Sequence, residues 1–141
     1  MNNIVVPVDG SEPANRAAKF AAKLAADANA ALTLVHVYDP PTASLMGLEA
    51  KSREEIDAIR TADAQGIFDA AHEAIGFTEV PISTHALIGH PAPEIIRFAQ
   101  ACDADLLVMG SRGRSELRGL LLGSVSEQVM RRASCAVTIV R

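Results

Sequence analysis

Four of the nine glycines in this chain fall within fifteen residues, in the stretch GSRGRSELRGLLLGS from Gly110 to Ser124. Glycine lets a backbone approach an anion without a Cβ atom in the way, so Gly110, Gly113 and Gly123 suit a phosphate group. Gly123 also precedes a helical pattern, and the N–H groups and dipole at the start of a helix favour negative charge. The spacing therefore predicts a loop that binds phosphate. The alternative is a surface loop whose glycines only form turns.

Charged and hydroxyl groups in this part of the chain fit the same chemistry. The hydroxyl groups of Ser124 and Ser126 are further hydrogen-bond donors. The stretch carries three arginines against one glutamate: Arg112, Arg114, Arg118 and Glu116. Because Arg112 lies between two of the glycines, it is the preferred phosphate partner among the arginines. The alternative is that these arginines point into solvent.

Other phosphate and hydrolase motifs are absent from the sequence. There is no G-x-x-x-x-G-K-[ST], which excludes a P-loop of the Walker type. No G-x-G-x-x-G follows a strand pattern, and no G-x-S-x-G exists, which excludes a hydrolase nucleophile elbow. Any phosphate site in this chain must therefore be built around the glycine stretch itself.

Asp9 ends the apolar run NIVVPVD and is the best-placed carboxylate for this chemistry. It would repel phosphates unless a cation or a ribose hydroxyl intervened, so one interpretation is that Asp9 faces a bound Mg²⁺ or Mn²⁺. The other is that it hydrogen-bonds the next turn, as Asp often does at strand ends. The four histidines form no metal pair at helical spacing, and His36, within a predicted strand, is assigned a packing or surface role.

Five apolar runs and four helical patterns must position these residues. The runs predict strands over residues 3–9, 31–38, 80–88, 105–110 and 136–140. Helical periodicity predicts helices over residues 12–28, 53–75, 92–103 and 125–132, with Ser11 as the first N-cap and Gly76 ending the second helix. The buried face of the first helix is predicted to hold Ala17, Phe20, Ala21, Leu24 and Ala28.

The alternation of strands and helices predicts an α/β fold. We expect one domain, residues 1–141, with a five-stranded, mostly parallel open sheet and helices on both faces. In such sheets ligands bind at the carboxyl ends of strands, where the strand order reverses. If it reverses between the first and fourth strands, the loops PVDGS and MGSRG meet across one crevice.

Composition restricts the partners and the compartment. The chain has a net charge of −4 and 4% aromatic residues without tryptophan, so we expect no nucleic-acid partner. No apolar run approaches the roughly twenty residues of a membrane span, and no leader pattern is seen, so a cytoplasmic location is expected. Cys102 and Cys135 are interpreted as buried thiols in a reducing compartment. The segment 42–51 is predicted to be a loop, and a lid is one role for it.

The chain closely resembles the universal stress protein family, in its ATP-binding branch. That branch carries G-x2-G-x9-G-[ST], and Gly110, Gly113, Gly123 and Ser124 match it in full. The segments IVVPVDGSEPANRA, GHPAPEII and LLLGSVSEQVMRR are similar to the family as well. The resemblance covers essentially the whole chain and is weakest between residues 40 and 66. It implies the Rossmann-like sheet of the adenine nucleotide alpha hydrolase type.

The resemblance also implies a set of nucleotide contacts. Toward the ribose and phosphates these are Gly110, Gly113, Gly123, Ser124 and Val125, with the hydroxyl of Ser126 and with Arg112 as an added candidate. At the ends of the first three strands they are Pro7, Val8, Asp9, Val37, and Ile88 or Gly89. Met109 is expected to form the floor of the pocket.

By this resemblance we expect an ATP-binding regulatory or stress-response protein with at most slow hydrolysis, a homodimer through residues 136–140. Two other classes stay open: a slow ATPase or adenylate-transferring enzyme, and a nucleotide-free module that docks a regulatory partner. Other adenine nucleotides, cAMP included, also stay open as ligands, because a glycine loop does not by itself select for the number of phosphates.

Overall fold

Five strands and four helices alternate in the part of the chain that the structure, a computed structural model, describes: residues 1–40, 47, 49–113 and 122–141. In chain order these elements are β1 (Asn3–Pro7), α1 (Glu12–Ala28), β2 (Ala31–Tyr38), α2 (Arg53–Ile75), β3 (Ile82–Ile88), α3 (Pro91–Ala101), β4 (Leu106–Gly110), α4 (Ser124–Arg132) and β5 (Ala136–Val140).

The strands form one sheet in the order β3-β2-β1-β4-β5. Every neighbouring pair is parallel, and β1 pairs with β2 on one side and with β4 on the other. The strand order therefore reverses between β1 and β4, which confirms the predicted α/β fold and its switch point. At this place the loops that follow β1 and β4 separate, one to each face, and leave a crevice between them.

Side chains of the central strands alternate between two cores. Alternate residues of a strand point to opposite faces, so each face of the sheet receives every second apolar residue. On one face Ile4, Val6, Leu34 and Val108 pack with α1 and α2. On the other, Val5, Val35, Leu107 and Met109 pack with α3 and α4. The two layers of helices confirm the prediction of helices on both faces.

Alanine forms the buried face of α1. Its buried residues are Ala14, Ala17, Ala18, Ala21, Ala22 and Ala25. Phe20, predicted to lie on this face, is instead 43% exposed, so that prediction was wrong. The small alanine side chains let α1 lie close to the sheet, and the buried arc passes on the side of the helix away from Phe20. Ser11 caps the helix as predicted, since its hydroxyl accepts a hydrogen bond from the Ala14 N–H at 3.3 Å.

Three strand boundaries differ from the prediction. β3 begins two residues later, just after Pro81, which has no N–H to donate to a ladder. β1 ends two residues earlier, so Asp9 lies in the loop after it. β4 begins one residue later, and Asp105 instead accepts hydrogen bonds from the backbone N–H groups of Asn2 and Asn3 at 2.6 and 3.0 Å. These two backbone hydrogen bonds hold the pKa of Asp105 below its usual value.

Helix α2 begins with a capping box. The Ser52 hydroxyl accepts from the Glu55 N–H, and the Glu55 carboxylate accepts from the Ser52 N–H. The hydrogen bond that the Glu55 carboxylate accepts from the Ser52 backbone N–H, followed by hydrogen bonding from the Ser52 side chain, lowers the pKa of Glu55. Gly76 ends the helix as predicted. The buried residues of α2 all lie in its second half, where Phe68 joins the core beside β2.

Three remaining expectations concern parts of the chain outside the sheet. Cys102 and Cys135 are free thiols but are only half-buried, which corrects the expectation of full burial; burial raises the pKa of Cys135. None of the helices in the described residues is long and apolar enough to cross a membrane. In the segment 42–51, residues 42–46 and 48 lie outside the described residues. The predicted role of this segment as a lid therefore falls outside the described residues as well.

Candidate functional site

A cavity of about 280 Å³ lies at the carboxyl edge of the sheet, at the switch point. The ends of β1, β2 and β4 and the first turns of α3 and α4 line it. Twelve of the fourteen residues predicted to contact a nucleotide line it: Pro7, Val8, Asp9, Val37, Met109, Gly110, Arg112, Gly113, Gly123, Ser124, Val125 and Ser126. Residues more than a hundred positions apart in the chain thus share one site.

One half of the cavity is apolar. Val8, Val35 and Val37 come from the ends of β1 and β2, Met109 from β4, and Ile95 from α3. Met109 is 4% exposed, in keeping with its expected place at the pocket floor. A flat apolar or aromatic group would remove this surface from water, which is favourable in proportion to the apolar area covered.

The other half is polar and is built around the start of α4. This helix begins at Ser124, one residue earlier than predicted, with Gly123 as its N-cap, and no side-chain hydrogen bond caps it. The N–H groups of Ser124, Val125 and Ser126 belong to the first turn, where an α-helix supplies no partner within itself. Together with the helix dipole they favour an anion at this end of the cavity.

The start of α3 contrasts with the start of α4. Pro91 is the first residue of α3 and lines the cavity, and Pro93 is its third. Proline has no backbone N–H, so this helix start lacks two of the donors that α4 presents. The cavity therefore has one helix start suited to an anion and a second one that is mostly apolar.

The described glycines of this stretch have different structural surroundings. A Cβ on Gly110 would stand 2.7 Å from the carbonyl carbon of Pro13, so glycine is required there for the close approach of α1 to β4. A Cβ on Gly113 would stand 2.6 Å from the Oδ2 atom of Asp9, a residue of the cavity wall. A Cβ on Gly123 would meet only ordinary contacts of 3.4 Å and more. The backbone of Pro13 explains Gly110 and the Asp9 carboxylate explains Gly113, whereas Gly123 has room for a Cβ.

Asp9 joins the loops that follow β1 and β4. Its Oδ1 atom accepts a hydrogen bond from the Ser11 N–H at 2.9 Å, as the turn interpretation predicts. Its Oδ2 atom lies against Gly113. Among the described residues there is no group of three His, Cys, Asp or Glu side chains that could hold a metal ion. A cation at Asp9 would therefore need ligands from a bound phosphate or from water.

Two serines at the site are held by the backbone. The Ser126 hydroxyl donates to the Gly110 carbonyl at 2.9 Å, so its proton is used within the protein and it faces a ligand only as an acceptor. Ser111 is buried; its N–H donates to Val140 and its carbonyl accepts from the Gly123 N–H at 2.7 Å. These bonds tie the start of α4 to the end of β4, which fixes the geometry of the polar half.

Two predicted contacts lie outside the cavity lining. Ile88 ends β3, an edge strand separated from β1 by β2, and Gly89 follows it with its Cα against the Glu94 side chain. Pro91 and Ile95, a few residues later, reach the cavity instead. Of the arginines considered for phosphate, Arg112 lines the cavity, while residues 114–121, which include the other two, lie outside the described residues.

Sequence reasoning missed five lining residues: Ala14, Val35, His36, Pro91 and Ile95. A signal existed for two of them, because Val35 and His36 lie near the carboxyl end of a predicted strand, where ligands bind in such sheets. No pattern marked Ala14 or Ile95, since apolar residues of helices look alike whether they line a core or a cavity.

This chain is similar to known proteins of one family. A model of the universal stress protein family matches residues 1–141. Universal stress protein MJ0531 of Methanocaldococcus jannaschii is 37% identical over 139 residues, which cover 98% of this chain and 81% of the relative.

Two solved structures of this group contain adenine nucleotides. A universal stress protein in complex with cAMP is 33% identical, with a TM-score of 0.68 over 99% of this chain and 96% of that one. The Archaeoglobus fulgidus protein in complex with dAMP is 25% identical, with a TM-score of 0.71 over 100% and 98% of the two chains. With the whole-length family match and the shared fold, this chain belongs to the universal stress protein family.

Proposed function

We propose that this protein binds an adenine nucleotide, ATP in the first place, at the switch-point cavity, and acts as a regulatory stress-response protein with at most slow hydrolysis. The observation that carries the proposal is the division of one cavity into an apolar half and a half that presents the start of α4. A nucleotide has the same division, with an apolar base at one end and anionic phosphates at the other.

The two helix starts indicate the direction of the nucleotide. Phosphates fit at α4, where Ser124, Val125 and Ser126 offer backbone N–H groups, and the base fits at the apolar wall of Val37 and Met109. Pro91 disfavours the reverse orientation, because α3 offers fewer donors. The spacing of Gly110, Gly113, Gly123 and Ser124 supports assignment to the ATP-binding branch of the family.

The relatives support the class of ligand. The complexes with cAMP and dAMP belong to those proteins, and both ligands contain adenine and one phosphate. We extend the adenine to this chain, because the apolar half of the cavity suits a base. ATP, which has the longer phosphate chain, is our preferred ligand because the cavity lining also includes Arg112 and Gly113, which lie beside the N-cap of α4.

A divalent cation at Asp9 completes the proposal. The Asp9 carboxylate lies against Gly113 at the proposed phosphate end, and a cation between it and a polyphosphate would weaken the repulsion between the two anionic groups. Mg²⁺ is commonly bound by one carboxylate together with phosphate oxygens and water, which matches a single protein ligand. When bound, the cation would supply charge neutralisation between Asp9 and the phosphates.

The side chains around the described cavity favour regulation over catalysis. Its lining includes no lysine, and Asp9 is its only carboxylate. Both ring nitrogens of His36 are bonded to protein atoms, so His36 is not available as a base. Efficient phosphoryl transfer needs positioned charges and a residue that orients the nucleophile. A slow ATPase or an adenylate-transferring enzyme is the alternative, and phosphate or pyrophosphate release over several turnovers would favour it.

We also propose a homodimer through β5. This strand is at one edge of the sheet, and its residues Val137, Thr138, Ile139 and Val140 are only partly buried in the single chain. An exposed apolar edge strand is a template for pairing with another strand. Sedimentation at several concentrations tests the dimer, and the variant Val137→Pro, which removes an N–H on the side of β5 that faces away from β4, should shift the protein toward monomer. A wild-type protein that is monomeric at all concentrations would contradict this part.

The experiment that tests nucleotide binding is a thermal melt of ligand-free protein. A ligand at about a hundred times its Kd stabilises the folded protein by roughly 2.7 kcal/mol, which raises the melting temperature by several degrees. We expect this with ATP and Mg²⁺, and comparison with ADP, AMP and cAMP ranks the ligands.

Two variants serve as controls for that melt. Gly123→Val places methyl groups against the loop at the phosphate end and should abolish the shift, whereas Gly66→Val, in open space on α2, should retain it. No shift with any nucleotide would reject the proposal and favour the nucleotide-free interaction module.

A further inference from the structure

His36 connects the helix layer to the wall of the cavity. It lies near the end of β2, its ring is buried, and it lines the cavity. Its Nδ1 atom is 2.8 Å from the carbonyl oxygen of Val8, and its Nε2 atom is 2.6 Å from the Oδ2 atom of Asp63 on α2. The sequence predicted a packing or surface role for His36, whereas the ring is buried and makes two polar contacts that an apolar side chain could not make.

The partners of the ring determine where its protons lie. A carbonyl oxygen only accepts, so Nδ1 must carry a proton and donate it to Val8. The contact between Nε2 and Asp63 then needs one more proton between the two atoms, because a bare ring nitrogen and a carboxylate would both be acceptors. The ring edge also meets Phe68 of α2 in a T-shaped contact at 6.5 Å between centroids. The His36 ring is thus held by the Val8 carbonyl on one side and by Asp63 and Phe68 of α2 on the other.

The Val8 carbonyl matters because it lies just past the end of β1. The Val8 N–H donates to the Val35 carbonyl at 2.8 Å, so β2 holds both polar groups of the Val8 backbone, one by its own backbone and one by His36. That carbonyl is part of the peptide unit that leads into Asp9. Fixing it fixes the direction in which Asp9 leaves β1 and meets Gly113.

We propose that His36 and Asp63 are positioning residues for the phosphate end of the cavity, acting through the Val8 carbonyl on Asp9. The inference rests on the proposed nucleotide binding and adds to it a path from α2 to the site. Asp63 is 31% exposed in its side chain, so the path begins at the protein surface and ends at the cavity wall.

The test compares variants that keep or remove single bonds of this path. His36→Phe keeps an aromatic ring against Phe68 but removes the bond to Val8. His36→Asn keeps a donor at the position of Nδ1 and loses both the reach to Asp63 and the ring contact with Phe68. Asp63→Asn retains a bond, because its amide donates to the bare Nε2 of a neutral ring, whereas Asp63→Ala does not. Asp69→Ala, at an exposed position of the same helix, is the matched control.

The readouts are the affinity for ATP with Mg²⁺, by calorimetry, and the melting temperature without ligand. We expect His36→Phe to weaken ATP binding roughly five- to tenfold, the loss of about one hydrogen bond. Asp63→Asn should stay within about twofold of wild type, since its bond to the ring persists, and His36→Asn, which keeps the bond to Val8 but not the one to Asp63, should match Asp63→Ala. Asp63→Ala should lie between these values, and adding it to His36→Phe should cost nothing further, because the two residues act in one path.

A purely structural role predicts a different pattern, in which all changes follow the melting temperature and Asn at position 36 gives no rescue. That pattern, or unchanged affinity in His36→Phe while the wild type binds ATP, would overturn this inference alone. A wild-type protein that binds no nucleotide would overturn the proposed function and this inference with it.

Discussion

Replacing Gly123 with serine should make the protein more stable and weaken its binding of nucleotide. Gly123 is the N-cap of α4, with φ −73° and ψ 159°, a backbone conformation that serine adopts without strain. A Cβ there has room, since its nearest contact would be at 3.4 Å. In Gly123→Ser the new hydroxyl oxygen can accept from the N–H of Val125 or Ser126, as N-cap serines do. It then occupies a donor that the proposed phosphate needs.

The magnitudes follow from the geometry and have opposite signs. Replacing a glycine at a compatible position stabilises by about 0.4–1 kcal/mol through the unfolded chain, and the cap adds a few tenths. A sum of about 1 kcal/mol should raise the melting temperature by roughly 3 to 5 °C for a chain of this length. Losing one hydrogen bond to a charged phosphate costs about 1.5–3 kcal/mol, a roughly ten- to hundredfold weaker Kd.

The assay pairs a thermal melt without ligand with calorimetry of ATP and Mg²⁺. Gly123→Ala is the matched control, because it adds the same Cβ without the hydroxyl. It should be less stable than the serine variant, since alanine is a poor N-cap, and should bind ATP more tightly than that variant does. A serine variant that is more stable and yet binds ATP as the wild type does would refute the role of the α4 start.

Three further predictions concern other parts of the structure. Gly110→Ala should destabilise the folded protein by about 1–3 kcal/mol, because the new Cβ would stand 2.7 Å from the backbone of Pro13. Gly66→Ala, at a helix position with open space around it, should instead stabilise the folded protein by roughly 0.5–1 kcal/mol. Equal melting temperatures for the two variants would contradict the close packing at Gly110. Asp9→Ala should weaken ATP binding about tenfold with Mg²⁺ but not with a chelator present, and unchanged affinity with Mg²⁺ would reject the metal role. The folded-state pKa of Asp105 is lowered, so its stabilising effect is present above the usual carboxyl pKa and is lost as the pH falls through the folded value. Denaturant unfolding should therefore show wild type more stable than Asp105→Asn at pH 6, with the difference shrinking below roughly pH 4; a difference independent of pH would contradict this.

Most of the fold could be predicted because strongly apolar runs and helical periodicity mark the elements directly. β2 and β5 have the predicted bounds. The strand order reverses between β1 and β4, the two strands that the candidate ligand loops follow. The errors are local. Phe20 was assigned to the core because helical spacing alone does not show how wide the buried arc is. The strand ends were misplaced where an apolar run continues past the last regular strand residue, at Pro81, which lacks an N–H, and at Asp105, whose carboxylate bonds the start of the chain.

The candidate site was predicted less completely. Motif spacing found the glycines and the start of α4, because those residues need a special backbone and leave a mark in the sequence. Pro91 and Ile95 were missed in favour of Ile88 and Gly89, because the choice depends on which turn of α3 reaches over β2. The bonds of His36 could not be predicted at all, since Asp63 lies 27 positions away on another element.

The sequence by itself determined the order of strands and helices, the phosphate-like loop and the kind of sheet that could hold it. These follow from short-range properties: side-chain periodicity, caps, and the freedom of glycine. Only the tertiary structure decided that Gly110 serves the packing of α1, that Asp9 lies against Gly113, and that His36 is bonded on both sides. Those facts depend on contacts between residues distant in the chain, and such contacts are set by how the layers pack rather than by any local pattern.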